Sequence, residues 1–172
     1  MRHTYHSEHW LPYSVDLVFT FFSNPENLPR LMPPWQKARI EEAALTAPEL
    51  RVGSRIKGTV AGPGSRITLS FKPFPYAPLR VSWVAEITEF VWNDHFCDHQ
   101  LRGPFTYWHH CHSLRSETRT HISGTLLRDE VEYELPLGKL GELANPLVTG
   151  QLRNTFAYRH KRTDELLSRK TP

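Results

Sequence analysis

Only two of the 172 residues are cysteines, Cys97 and Cys111, too few for a framework of disulfides. Both are expected to be free thiols. No apolar run approaches the roughly 18 residues that a membrane-crossing helix requires, so no membrane span is expected. The opening MRHTYHSEHWLPYS mixes His, Glu and Arg with isolated apolar residues and has no apolar stretch of the secretory kind. The expected location is the cytoplasm. Phosphate cradles of the GxGxxG or P-loop type are missing, and no cofactor is expected. No repeat or low-complexity tract is visible either. A concentrated basic stripe is also lacking, although the net charge is +3 and the pI about 9.0. The one group of bases, Arg153, Arg159, Lys161, Arg162, Arg169 and Lys170, falls where cations suit a helix C-terminus. It reads as a solvated helix face, and no nucleic-acid partner is expected.

What is present is a globular composition, 39% hydrophobic, 12% aromatic and 23% charged, which suits a single domain over residues 1–172. His3 to Leu11 reads as a strand ended by Pro12. Ser14 stands at an N-cap position before Val15, Val18, Phe19 and Phe22 at helical spacing. Asn24-Pro25-Glu26 looks like a second helix start, stopped within about two turns by Pro33-Pro34. Trp35 to Leu45 is a candidate strand. Residues 46–64, rich in Gly and Pro, read as a long loop or weak exposed hairpin. Strands are then expected over Arg66 to Lys72, Val81 to Phe90, His95 to Leu101, Thr106 to Arg115 and Gly124 to Leu135. PFPYAP is a loop between the first two, and Arg102-Gly103-Pro104 a hairpin turn. From Gly138 the period changes. Leu140, Leu143, Leu147, Val148, Leu152, Phe156, Leu166 and Leu167 mark a long amphipathic helix, with Asn145-Pro146 either a kink or its true start.

The stretch FTYWHHCHSLRS, Phe105 to Ser116, holds three histidines and a cysteine in four consecutive positions. Alternate residues of a strand share a face, so the run divides into Trp108, His110, His112 and Leu114 on one side and His109 and Cys111 on the other. By the same parity Trp83, Ala85 and Ile87 fall together, as do Phe96, Asp98 and Gln100, and Thr125, Leu127, Asp129, Val131, Tyr133 and Leu135. These sets carry the large apolar side chains and should face the long helix. With a turn at Arg102 to Pro104, residues whose numbers sum to about 208 lie opposite each other. Asp98 is then beside His110 on the inner face, and Cys97 beside Cys111 on the outer. His3, His6 and His9 read as surface residues.

Buried polar groups cost several kcal/mol unless partnered, so two imidazoles, two carboxylates, an amide and a phenol on an inner face need an account. One is a satisfied internal network in which Asp98 orients His110 and Asp129 anchors the next strand. A second is a ligand pocket with polar groups in an apolar cavity. A third is a metal held by His110, His112 and a carboxylate; the spacing alone is weak evidence for it, and no metal is assigned.

Three stretches carry a resemblance: Phe96-x-Asp98-x-Gln100-x-x-Gly103-Pro104-Phe105-x-x-Trp108-x-His110-x-His112, then Thr125-x-x-x-Asp129-x-Val131-x-Tyr133-x-Leu135-Pro136-x-Gly138, then Leu152, Phe156 and Tyr158-Arg159. Together with LPYSVDLVFTFFSNPENLPRLMPPW they resemble a bacterial cyclase/dehydrase-like branch of the SRPBCC superfamily, which includes START domains, polyketide cyclases and the birch-pollen allergen type. The resemblance implies an α+β helix-grip fold, a curved antiparallel sheet wrapped around a long C-terminal helix, with two short helices after the first strand and a cavity between sheet and helix. It supplies no activity, because fold analogy does not establish chemistry.

The leading expectation is binding of a small hydrophobic or aromatic, lipid-like molecule. Trp83, Phe96, Trp108, Tyr133 and Phe156 would give apolar contact, with Gln100, His112, Asp129 and Asp98 available to orient a polar end. The alternative is a cyclase or dehydratase using Asp98 and His110 as an acid/base pair. A protein-interaction module built on the basic tail or the long loop is a further one. The chain is expected to be a monomer or weak dimer.

Overall fold

In a computed structural model of the protein, which describes residues 1–49 and 58–169, the strands are β1 (Arg2–Leu11), β2 (Arg39–Ala44), β3 (Arg66–Phe71), β4 (Val81–Val91), β5 (His95–Arg102), β6 (Tyr107–Arg119) and β7 (Ile122–Glu134). They form one antiparallel sheet in the order β1-β7-β6-β5-β4-β3-β2. The helices are α1 (Val15–Phe22), α2 (Lys139–Glu142) and α3 (Asn145–Ser168). This is the helix-grip fold. Its curvature has a local cause in β4, where the register with β5 slips between Val84 and Ala85 and again between Ile87 and Glu89. Each slip bends the strand, and the second changes the parity, so that Phe90 rather than Glu89 follows Ile87 into the core.

Ser14 caps α1 by accepting a hydrogen bond from Leu17 N, and Val18, Phe19 and Phe21 are buried. The second expected helix is replaced by three single 3-10 turns, at Pro25–Asn27, Pro29–Leu31 and Pro34–Gln36. Pro29 lacks the N–H that an α-helix begun at Pro25 would use there. The strand expected from Trp35 starts only at Arg39, because the last of these turns ends at Lys37 in the left-handed region, φ 46°. Residues 46–49 and 58–64 contain no strand; the remainder of the Gly/Pro-rich segment lies outside the described residues. At the other end Asn145 is the true start of α3, and Leu140, Leu143 and Leu147 are exposed.

Three expectations about polar residues are corrected. Cys97 and Cys111 are joined in a disulfide, with Cα atoms 4.1 Å apart. The β5–β6 register places them directly opposite one another, so their side chains leave the same face at bridging distance. Second, the histidines of β1 are not all at the surface. Odd-numbered residues of β1 face the C-terminal helices: His3 Nε2 meets Glu142 at 2.7 Å, Ser7 Oγ lies 3.0 Å from His160 Nε2, and His9 stacks on His160 at 4.4 Å. Only His6 is exposed. Third, Arg159 belongs not to a solvated face but to the buried stripe Leu152, Phe156, Arg159, Thr163, Leu166 and Leu167.

The His9–His160 contact predicts an acid limit on stability. Burial, reinforced by the neighbouring His9, pulls the His160 pKa from 6.5 down to about 4. Between those values the unfolded chain holds more protons than the folded one, so stability rises with pH across the window and is lost as pH falls through it. Urea unfolding followed between pH 4.5 and 6.5 is expected to show that slope in the native protein and a shallower one in His160→Gln. Identical slopes would remove the contact from the acid response.

Candidate functional site

A cavity of about 570 Å³ separates the concave face of the sheet from α3, within the range of small-molecule pockets. Its walls are mostly apolar. β3 supplies Ile67, Leu69 and Phe71, β4 supplies Trp83, Ala85 and Ile87, and Leu152 and Phe156 of α3 close the opposite side. Trp83, Phe105 and Trp108 form an aromatic corner, Trp83 meeting Trp108 edge-on at 4.8 Å and Phe105 lying 5.0 Å from Trp108. The mouth is rimmed by Phe74, Leu137, Leu140 and Leu147, all exposed. The turn into α2 that carries part of this rim needs Gly138, whose φ of 53° and ψ of −126° suit no other residue.

Polar groups enter the cavity on one side only in strength, where β5, β6 and α3 bring Asp98, His110, His112 and Arg159 to the wall. Of the residues expected from sequence, Trp83, Phe96, Asp98, Trp108, His110, His112 and Phe156 line the cavity. Gln100, Asp129 and Tyr133 are buried behind it with partners of their own. Gln100 Nε2 donates to Phe105 O at 2.8 Å across the β5–β6 turn. A Cβ on Gly103 would come within 2.2 Å of Gln100 Oε1, so a side chain there would push the Gln100 amide out of this hydrogen bond. Tyr133 OH donates to Asn145 Oδ1 at 2.8 Å and lies 3.0 Å from Thr149 Oγ1, fixing the start of α3.

Asp129 is the centre of the polar cluster and is fully buried. It stands opposite His112 in the β6–β7 register. His110 Nε2 lies 3.0 Å from its Oδ1, in hydrogen-bond geometry, and Arg159 Nη1 lies 3.9 Å from the same oxygen. His112 Nδ1 is closer, at 2.7 Å, but too poorly aligned to count as a hydrogen bond. The two histidines thus hold the carboxylate at close range and Arg159 at a longer one. Burial alone would raise the Asp129 pKa, but His112 and His110 outweigh it and hold the carboxyl far below the usual range. Asp129 is an anion, facing the permanently charged guanidinium of Arg159.

Asp98 has the opposite character. Burial pushes its pKa up, only partly offset by His110 and Arg159, and the 19% of its side chain that is exposed faces the cavity it lines. His110 stands between the two carboxylates, with Nδ1 3.6 Å from Asp98 Oδ1. Burial and the adjacent His112 lower its pKa. A neutral imidazole that donates its Nε2–H to the Asp129 carboxylate keeps an Nδ1 lone pair on the Asp98 side, an assignment that follows from the hydrogen-bond pattern. His110 is oriented by Asp129, not by Asp98 as the hairpin pairing alone implied. The ligand atoms of His110, His112 and Asp129 also converge within 4.8 Å of one another; Arg159 is the cation that approaches them.

The family model for polyketide cyclase / dehydrase and lipid transport matches residues 11–160. The chain belongs to this family. Its membership places the protein in the SRPBCC superfamily, as the sequence motifs implied. No curated protein matches it significantly in sequence. Among solved structures, the protein TTHA0849 from Thermus thermophilus is similar with a TM-score of 0.65 and 17% identity, covering 98% of this chain and 99% of that one. Norcoclaurine synthase from Thalictrum flavum gives a TM-score of 0.63 at 16% identity, over 100% and 90% of the two chains. Ginseng major latex-like protein 151 from Panax ginseng gives 0.60 at 11% identity, over 95% and 96%. At these identities the likeness is one of fold.

In this polyketide cyclase / dehydrase family protein the cavity-lining residue that the sequence pattern placed on a solvated face is Arg159. A helix stripe is recognised by its apolar members, and Phe156 and Thr163 flank Arg159 at the three- and four-residue steps of that stripe. The spacing was the available signal. Among the described residues no helix is long and apolar enough to cross a membrane.

Proposed function

We propose that the protein binds a small, largely hydrophobic or aromatic molecule with one polar end in the cavity between sheet and α3. The observation that carries this reading is the clustering of the charged and titratable groups Asp98, His110, His112 and Arg159 on one side of a largely apolar cavity. Trp83, Trp108 and Phe105 offer ring faces and edges, and the polar wall meets a carbonyl, hydroxyl or acid group. The norcoclaurine synthase neighbour was solved with dopamine and hydroxybenzaldehyde, aromatic molecules with polar substituents. The family's description also includes lipid transport. Gln100, Tyr133 and Asp129 support the wall rather than touch the ligand.

The test is native mass spectrometry of protein purified without added ligand, combined with titration of a fluorescent apolar probe. A copurified organic mass and probe binding are expected. Ala85→Trp, which fills the cavity from β4, should abolish probe binding while leaving far-UV circular dichroism unchanged. Equal probe binding by folded wild-type and Ala85→Trp proteins would sink the assignment.

A second reading, proton transfer on the bound molecule, is favoured by one arrangement: a carboxylate at His110 Nε2 and a free lone pair at Nδ1, with Asp98 beside it. His110 would take a proton next to a carbonyl and Asp98 would donate one. No covalent intermediate is required.

A further inference from the structure

We propose that reduction of the Cys97–Cys111 disulfide creates a site for a soft divalent cation, with Cys97, Cys111 and His109 as ligands. The three side chains lie together on the outer face of the β5–β6 hairpin, away from the cavity and independent of what it binds. Their donor atoms are all within 4.8 Å of one another. His109 Nε2 and Nδ1 stand 3.7 and 3.9 Å from Cys111 Sγ. In a tetrahedral zinc site, with Zn–S near 2.3 Å and Zn–N near 2.0 Å, donors lie roughly 3.3–3.8 Å apart. The imidazole already has that spacing, and a rotation about its χ2 aims one lone pair at the ion. The sulfurs, released from their bond, have only to separate. Glu89 Oε2 is 3.8 Å from Cys97 Sγ but stands outside the set of mutually close donors, so the fourth place that three protein ligands leave open falls to water.

The residue types favour this chemistry. Two thiolates and an imidazole select zinc and similar soft ions over magnesium or calcium. β-strand register, rather than a flexible loop, sets the spacing, since Cys97 and Cys111 are directly paired and His109 shares the face two residues away. Cys97 is buried, whereas Cys111 and His109 are half-buried, so a reductant and an ion reach the pair from the Cys111 side. The electron and proton balance of the switch is closed: a thiol reductant becomes a disulfide, its two electrons and two protons pass to the cysteine sulfurs, and the ion then displaces a proton from each thiol. Disulfide and metal are alternative occupants of one place, so a reducing compartment sets the metal-binding form and an oxidising one excludes it.

The experiment uses the full chain, reduced anaerobically with a thiol reductant that is then removed, and titrated with Co²⁺ as a spectroscopic probe and with Zn²⁺. Expected for the reduced protein are two thiols reactive to a thiol reagent, a thiolate-to-cobalt charge-transfer band saturating at one ion per chain, and loss of that band when Zn²⁺ is added. The oxidised protein should give no such band. His109→Ala, which leaves the disulfide intact for folding, should weaken the ion by more than the roughly 10- to 100-fold typical of losing an outer-shell partner. Cys97→Ser/Cys111→Ser should abolish the band. Free thiols without a charge-transfer band, a disulfide that native-state reduction does not open, or equal affinity in His109→Ala would each overturn the proposal. So would cobalt binding without thiolate charge transfer, which places the ion elsewhere.

Discussion

Asp129→Asn is expected to lower the unfolding free energy by about 3–5 kcal/mol, the usual result of removing one partner from a buried ionic cluster. The substitution keeps shape and volume and deletes only charge. Arg159, 3.9 Å from the lost anion and almost fully buried, is then left with Asp98, which burial pushes toward its neutral form, as the nearby carboxyl, and among the described residues no acceptor reaches its Nε. His110 also exchanges a carboxylate acceptor for the weaker, uncharged oxygen of an amide. Urea unfolding of Asp129→Asn, Arg159→Met and the double variant gives the coupling directly: the double variant should be less destabilised than the sum of the singles, because Arg159→Met removes the group that Asp129→Asn strands. A single-variant loss within about 0.5 kcal/mol, the range of ordinary surface changes, would show that Asp129 is not the anchor.

The pH dependence separates this effect from that of His160. Asp129 has a depressed pKa, so its contribution is fully present above the ordinary Asp pKa of about 3.9 and is lost only as pH falls below that, through the folded-state value. It is flat across pH 4.5 to 6.5, where His160 titrates. Within that window the share of the slope that His160→Gln removes belongs to the histidine pair between β1 and α3, beside the shares of His110, pulled down by burial, and Asp98, pushed up by it; below the window, the loss that Asp129→Asn removes belongs to Asp129.

How much of this was legible beforehand depended on which physical rule governed each residue. Strand parity depends on backbone geometry alone, and it placed Trp83, Phe96, Asp98, Trp108, His110 and His112 on the cavity side. The hairpin register followed from the turn at Gly103, so Asp98 opposite His110 and Cys97 opposite Cys111 were both obtained. Bonding of the two sulfurs was missed because a compartment argument overrode that register. The β6–β7 turn was invisible, since Thr120 and His121 both adopt positive φ, 46° and 67°, in positions where Asn-Gly is the usual signal. Arg159 was misplaced for a different reason. A cation on a helix reads as solvent-facing until the carboxylate that keeps it buried is known, and Asp129 is 30 positions away on another element. The β1 histidines show the same dependence, because their partners on α2 and α3 are remote in sequence.

Asp98→Asn should do the reverse of Asp129→Asn: weaken ligand binding without weakening the fold. A carboxyl whose folded-state pKa is raised is held in its protonated form more tightly by the native protein than by the unfolded chain. Its contribution is therefore best at low pH and declines as pH rises from the unfolded pKa through the folded one. A neutral amide escapes that decline, so at pH 7 the variant is expected to match or exceed the native protein in unfolding midpoint. Binding should change in the other direction. Asp98 faces the cavity, and loss of a hydrogen bond involving an ionisable partner, worth about 1.5–3 kcal/mol, corresponds to roughly tenfold to a hundredfold in affinity for a ligand with a polar end. An apolar probe, which makes no such bond, should bind equally well to both proteins. Parallel titrations with the copurified ligand and the apolar probe, alongside urea unfolding, read all three quantities. If Asp98→Asn destabilised the fold as strongly as Asp129→Asn and left the affinities alone, Asp98 would be part of the internal network that holds His110. Opposite signs in stability and binding would instead assign the two carboxylates that flank one imidazole to different tasks, Asp129 to holding the wall and Asp98 to meeting the ligand.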